Sequence, residues 1–86
     1  MIDSLVIDGV RRNLRYIHDR ELKGGKLALY GGSTTCSVNL GTKEDRSIIF
    51  AKARCHSKEI FDRRMGRTIS RGRLVATLKE LGYTVE

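Results

Sequence analysis

Apolar side chains recur at helical spacing near the start of the chain. They form one stripe at four positions: Ile7, Val10, Leu14 and Ile17. This period predicts an amphipathic helix that runs to about Arg20, with Asp3 or Ser4 as its N-terminal cap. The glycines of "KGG", residues 23–25, are typical of a segment that ends such a helix.

Alternation replaces the helical period in the middle of the chain. "KLALY", residues 26–30, indicates a short strand, and Gly31-Gly32 indicates a turn or a bulge. Residues 33–40 and 47–55 alternate as half-buried strands, and the buried face of the first is expected to hold Thr34, Cys36, Val38 and Leu40. If residues 44–47 connect these two strands, Cys36 faces Cys55 across the pair.

A second helix is predicted over residues 57–81, capped by Ser57 and ended by Gly82. A wheel at 100° per residue gathers one arc that is expected to face the sheet: Phe61, Met65, Ile69, Gly72 and Ala76. On this wheel Gly72 permits close approach to the sheet, whereas Gly66 lies off the arc.

Three leucines of this helix, Leu74, Leu78 and Leu81, project from the side that carries its arginines. A straight helix cannot bury both faces in so small a domain. The helix therefore bends near residues 70–72, or the leucines contact the first helix, or they form an interface with a partner or a second copy. A cap at Ser70 would instead divide the segment with helix-turn-helix spacing.

The predicted fold class is α+β. The order is α-β-β-β-α, and "YTVE", residues 83–86, can add a short fourth strand. A three-stranded or four-stranded antiparallel sheet with two helices on one face buries these apolar stripes. Because the chain has 86 residues, one domain over residues 1–86 is expected.

Charge is the strongest global signal. Seventeen Lys and Arg against ten Asp and Glu give a net charge of +7, which favours a polyanionic partner. A basic stripe on the second helix is the expected contact surface: Arg63, Arg64, Arg67 and Arg71. Six further cations extend this candidate surface: Lys58, Arg11, Arg12, Arg15, Lys52 and Arg54.

Several classes of function have no support in the sequence. No apolar run is long enough to span a membrane, and the start of the chain resembles neither a signal peptide nor a transit peptide, so a cytoplasmic location is expected. The two cysteines lack the C-x-x-C spacing of a zinc site. No glycine-rich phosphate loop or hydrolase motif is present. We therefore predict no metal, no cofactor, no catalytic residue and no enzymatic activity.

The segment "AKARCHSKEIFDRRMGRTISRGRL", residues 51–74, resembles short uncharacterised proteins encoded by bacteriophages. This resemblance implies a small accessory protein in the host cytoplasm, in a class that includes nucleic-acid binders and inhibitors such as anti-CRISPR proteins. The α-β-β-β-α order is similar to that of the double-stranded-RNA-binding domain. In that family a basic patch opens the second helix, where this chain has Lys58.

Two functional hypotheses follow. In the first, the basic stripe binds the phosphates of RNA or DNA without strong base recognition, and affinity falls steeply with salt. In the second, the chain inhibits a host protein that has an acidic groove, and the three leucines anchor the contact. A homodimer of structural role is a third hypothesis.

Overall fold

The computed structural model describes residues 3–20 and 22–86, so the first two positions of the predicted domain and residue 21 lie outside it. The elements in chain order are β1 Ser4–Ile7, β2 Val10–Asp19, β3 Leu22–Lys23, β4 Lys26–Leu27, β5 Ser33–Asn39, β6 Ile48–Arg54 and α1 Arg63–Glu80. An antiparallel sheet has the strand order β1-β2-β5-β6, and β3 and β4 form a separate small hairpin. The α+β class is confirmed, but the described residues contain one helix rather than two.

The predicted first helix is a β-hairpin. β1 and β2 pair around Asp8-Gly9, which adopt φ of 49° and 80°. Two successive positive φ values are those of the tight turns that join antiparallel strands, and Asp-Gly favours such a turn. The same residues also alternate with period two, since Leu5, Ile7 and Leu14 are all buried. The "KGG" glycines likewise turn the β3–β4 hairpin instead of ending a helix.

The two central strands were placed correctly by alternation, but their register was not. Thr34, Cys36 and Val38 are buried on β5 as expected. Cys36, however, pairs with Ala51 and not with Cys55, and Thr34 pairs with Ala53. The connection between β5 and β6 is longer than the predicted four residues. A hydrogen bond from Leu40 N–H to Ser47 O closes this loop. Both cysteines are free thiols.

α1 packs on the sheet through a row at spacings of four: Gly66, Ser70, Leu74 and Leu78. The last three side chains are fully buried, and a Cβ at Gly66 would lie 2.9 Å from Thr34 Cβ and even closer to its hydroxyl. The predicted sheet-facing arc is therefore wrong. Met65 is 57% exposed, and Gly72 has open space around it. Small residues in the first half of the helix, rather than large apolar ones, set the distance to the sheet.

The helix is shorter than predicted and continuous through Gly72. Asp62, not Ser57, caps it by accepting the backbone N–H groups of Arg64 and Met65. Gly82 follows the last turn with a φ of 96°, as its predicted terminating role requires. Beyond it, Val85 bridges to Ile7 and covers the outer edge of β1.

The core lies between α1 and the inner face of the sheet. Its members come from three strands and the helix: Leu5, Ile7, Leu14, Cys36, Val38, Leu74 and Leu78. Tyr16 and Val75 pack against its border. Within the described ranges, no helix combines the length and the hydropathy that a membrane crossing requires.

Candidate nucleic-acid interface

A groove of about 500 Å³ runs between α1 and β2 on the helix-bearing side of the sheet. Its lining residues are Asp3, Tyr16, Arg64, Arg67, Thr68 and Arg71. The arginine stripe therefore lies along the border of the buried face of α1, on the side of β2. The helical wheel instead predicts it on the side of the helix opposite the sheet. Arg63, Arg64 and Arg67 are exposed. Among the described residues, the one ion pair joins Arg71 to Asp3.

Arg71 has a structural task within this stripe. Its Nε donates to Asp3 Oδ2 at 3.1 Å, and its Nη2 donates to Ser4 O at 3.3 Å. Tyr16 donates its hydroxyl to the same Asp3 oxygen at 2.6 Å. The carboxylate thus joins α1, β1 and β2, and Arg71 has fewer donors left for a ligand than its three neighbours on the helix.

The hydrogen bond from Tyr16 is the main cause that lowers the pKa of Asp3, and the nearby Arg71 lowers it further. Burial, together with the same bond, raises the pKa of the Tyr16 phenol. Both shifts favour a neutral phenol that donates to an ionised carboxylate. The cluster is therefore in its stabilising protonation state from mildly acidic to moderately alkaline pH.

We expect Tyr16→Phe to reduce the decrease in the free energy of unfolding that the wild type shows as the pH falls into the acid range. Because folding lowers the pKa of Asp3 below its ordinary 3.8, the stabilisation is complete above that value and is lost as the pH falls through the folded-state pKa. Without the phenol donor this loss should shrink. Urea unfolding followed by circular dichroism from neutral pH to strong acid measures it.

Tyr83→Phe is the matched control, because no side-chain hydrogen bond from Tyr83 is present among those described for the chain. It should keep the decrease of the wild type. Loss of stability from protonation of His18 is common to all three proteins and begins at higher pH. If the wild type and Tyr16→Phe lost the same stability as the pH falls, the bond from Tyr16 would not set the pKa of Asp3.

The pKa of His18 responds to the positive charge of the arginine stripe. Burial lowers its pKa first, and Arg63 and Arg67 lower it further. Its Nδ1 shares a hydrogen bond of 2.8 Å with Thr34 Oγ1, and its ring meets Phe61 edge to face at 5.8 Å. The imidazole is therefore held neutral beside two cations four residues apart on α1, whose mutual repulsion a bound anion would reduce.

The remaining predicted cations do not extend this groove. Lys52 and Arg54 lie on the opposite face of the sheet, as do two of the arginines that were expected on the first helix, Arg11 and Arg15. Arg12 points to the helix side, where its Nη1 donates to Gly41 O at 3.3 Å. Lys58 lies in the turn that precedes α1 and not in its first helical turn.

The three leucines proposed as a partner interface are divided by the fold. Leu74 and Leu78 are 0% exposed and belong to the core, so they offer no contact surface, whereas Leu81 is 59% exposed. They are buried because the sheet lies under that side of α1. A separate helix capped by Ser70 is also excluded, since the Ser70 hydroxyl donates to Gly66 O inside a continuous helix.

Sequence reasoning missed Tyr16, which lines the groove, and His18, which lies near Arg63 and Arg67. Both were hidden inside the predicted first helix, although Leu14, Tyr16 and His18 alternate along β2 and point to the same side. Burial raises the pKa of the Cys36 thiol, which keeps it neutral. The residues that the structure describes contain no cluster of metal-ligating side chains.

Comparison of the chain with protein-family models, with curated proteins and with solved structures yields no significant match. The function is therefore argued from the surfaces of the molecule itself.

Proposed function

We propose that this protein binds nucleic acid, RNA or DNA, through phosphate contacts along the groove between α1 and β2. The observation that carries the proposal is the row of exposed guanidinium groups on Arg63, Arg64 and Arg67, beside a cleft large enough for a phosphate backbone. Guanidinium presents two parallel N–H donors to two phosphate oxygens, and this geometry gives the strongest charge-assisted hydrogen bonds.

The free donors of the groove favour phosphate over a base edge, since the Asp3 carboxylate that also lines it is already paired with Arg71. The Tyr16 hydroxyl already donates to Asp3, and the Thr68 hydroxyl donates to Arg64 O at 3.0 Å. The donors that remain for a ligand belong to arginines, which suit an acceptor-only partner such as phosphate. Base recognition would need a matched set of donors and acceptors, so binding here should depend weakly on sequence.

Arg64→Glu/Arg67→Glu should abolish most of the affinity for duplex RNA or DNA. Two lost phosphate contacts should also reduce the slope of log K against log salt by about two. Fluorescence anisotropy of a labelled duplex at several salt concentrations measures both effects. Circular dichroism should show an unchanged fold, because both side chains are exposed.

The control is Lys26→Glu/Lys79→Glu, which lowers the net charge from +7 to +3 in the same way but lies outside the groove. It should reduce affinity modestly and keep most of the salt slope. Equal losses of affinity in the two double variants would show that binding depends on the net charge of the protein and not on the groove. Absence of duplex binding by the folded wild type would refute the proposal.

A further inference from the structure

The face of the sheet opposite α1 is uncovered. On β5 every second residue is buried under the helix, and the others point to the open side. Register places the outward residues in rows across three strands: Arg15–Ser37–Phe50, Ile17–Thr35–Lys52 and Asp19–Ser33–Arg54. Because the middle position of each row is a serine or a threonine, small side chains on β5 lie between longer ones on β2 and β6.

We call this surface the open-face trough: a floor of Ser33, Thr35 and Ser37 with walls formed by the outward residues of β2 and β6. It extends over the seven residues of β5, about 20 Å at the rise of a strand. A cleft of about 710 Å³ at one end includes Arg20, Lys52 and Arg54. A cleft of about 240 Å³ at the other end includes Arg15, Lys43 and Arg46.

Both ends of the trough are cationic. Among the described residues that line the two clefts, Asp19 is the one carboxylate, against the six Lys and Arg side chains just named. Arg20 is already engaged by the Phe61 ring and Ala28 O, so the other five carry the free positive charge. The loop that carries Lys43 and Arg46 is held by Asn39. Its Oδ1 accepts from Gly41 N–H and Ser47 N–H, each at 3.0 Å, and its amide donates to Thr42 O at 3.1 Å.

Phe50 stands on β6 between the two cationic ends. Its side chain is 62% exposed. Two further apolar residues of the same face, Ile48 on β6 and Ile17 across β5, are 53% and 50% exposed. An aromatic ring left in water on a sheet flanked by cations offers a stacking surface to a planar, negatively charged ligand.

We propose that the open-face trough binds a short single-stranded nucleic acid, with an unpaired base stacked on Phe50 and the flanking phosphates on the cations at each end. The trough and the groove lie on opposite faces of one sheet, so this proposal does not depend on the phosphate groove. Together the two surfaces would let one molecule hold two nucleic-acid segments at once.

Single-stranded nucleic acid fits this surface better than the alternatives. A duplex hides the faces of its bases within the stack and leaves Phe50 without a planar partner. An acidic peptide would satisfy the cations but offers no comparable π-face. The hydroxyl groups of Ser33, Thr35 and Ser37 can both donate and accept, which suits the mixed donors and acceptors of an unpaired base edge.

The absence of tryptophan from the chain allows a direct test. Phe50→Trp introduces one fluorophore on the trough, and Leu81→Trp places one at the far end of α1 as the matched control. Titration with an oligothymidylate of about eight nucleotides, within the site sizes of single-strand binders, should quench the first variant saturably and leave the second nearly unchanged. A hairpin duplex should not quench either variant.

Two further variants separate this surface from the groove. Phe50→Ala should weaken single-strand binding at least about fivefold, the lower end of one base–aromatic stack, and leave duplex affinity within twofold of wild type. Arg64→Glu/Arg67→Glu, added to Phe50→Trp, should lose duplex binding. Its quenching by the oligothymidylate should match that of Phe50→Trp carrying Lys26→Glu/Lys79→Glu, which has the same net charge.

Three results would overturn the inference, provided that circular dichroism shows a folded Phe50→Trp variant: no saturable quenching by the single strand, equal quenching by the duplex, or the same response to polyglutamate. The last result would assign the trough to acidic peptides. Each of these outcomes leaves the duplex binding of the groove to be judged by its own variants.

Discussion

Leu78→Ala should lower the free energy of unfolding by about 2–5 kcal/mol, the range for truncating a buried leucine. The side chain is fully buried between α1 and the sheet, where it packs within the same cluster as Leu5, Leu14 and Val38. Removing its three outer carbons loses their transfer free energy and leaves a cavity that a two-layer domain can only partly close. Since small domains have a stability of roughly 5–15 kcal/mol, the change consumes a large part of the total.

Leu81→Ala is the matched control, because Leu81 is the C-terminal cap of the same helix, three residues further on, and is 59% exposed. Its effect should stay within about 0.5 kcal/mol, as for other surface substitutions. Urea denaturation of the three proteins, with a common m-value, compares them. A small effect at Leu78 together with a large one at Leu81 would reverse the assignment of core and surface and would restore Leu78 as a residue for partner contact.

Gly66→Ala should destabilise the domain although alanine favours helices. The new Cβ would lie 2.9 Å from Thr34 Cβ and in steric conflict with its hydroxyl. Relief requires α1 to move away from β5, which also strains the packing of Ser70 and Leu74. Overpacking of this kind costs about 1–3 kcal/mol, which exceeds the gain of about 1 kcal/mol in helix propensity.

Gly72→Ala should have the opposite sign. Gly72 lies in the same helix, and no atom outside its own helical turns lies within 4 Å of the place that an alanine methyl group would take. The substitution should therefore stabilise the protein by up to about 1 kcal/mol. Thermal and urea unfolding of the two variants test the difference directly. Stabilisation by both alanines would mean that the helix does not approach β5 as closely as the structure shows.

Local pattern was sufficient for the elements whose period is unambiguous. Period two along residues 33–40 gave β5 and its buried face, because alternation in a strand maps one to one onto the two faces of a sheet. Gly82 marked the end of α1, because only a residue that tolerates positive φ ends a helix in this way. The net charge of +7 depends on composition alone.

Local pattern failed where one sequence satisfies two periods. Ile7, Val10, Leu14 and Ile17 match a helical stripe, but Asp8-Gly9 between them makes a tight turn, and pairing with β5 stabilises β2 as a strand. On α1, the large residues Met65 and Ile69 suggested a core face. The face that packs on the sheet instead carries Gly66 and Ser70, because α1 lies close to Thr34. This contact joins residues far apart in the chain, so no local pattern contains it.

Composition and local pattern were therefore enough to predict the α+β class, the central strands, the end of the helix and the excess of positive charge. Three features became visible only in the folded chain: the register of β5 on β6, the face that α1 buries, and the division of the cations between two sides of one sheet. These features depend on loop length and on contacts between residues far apart in the chain. A shift of the helix by a few degrees of rotation, or of a strand by a few residues, changes which side chains share a surface while leaving the composition and most of the local pattern unchanged.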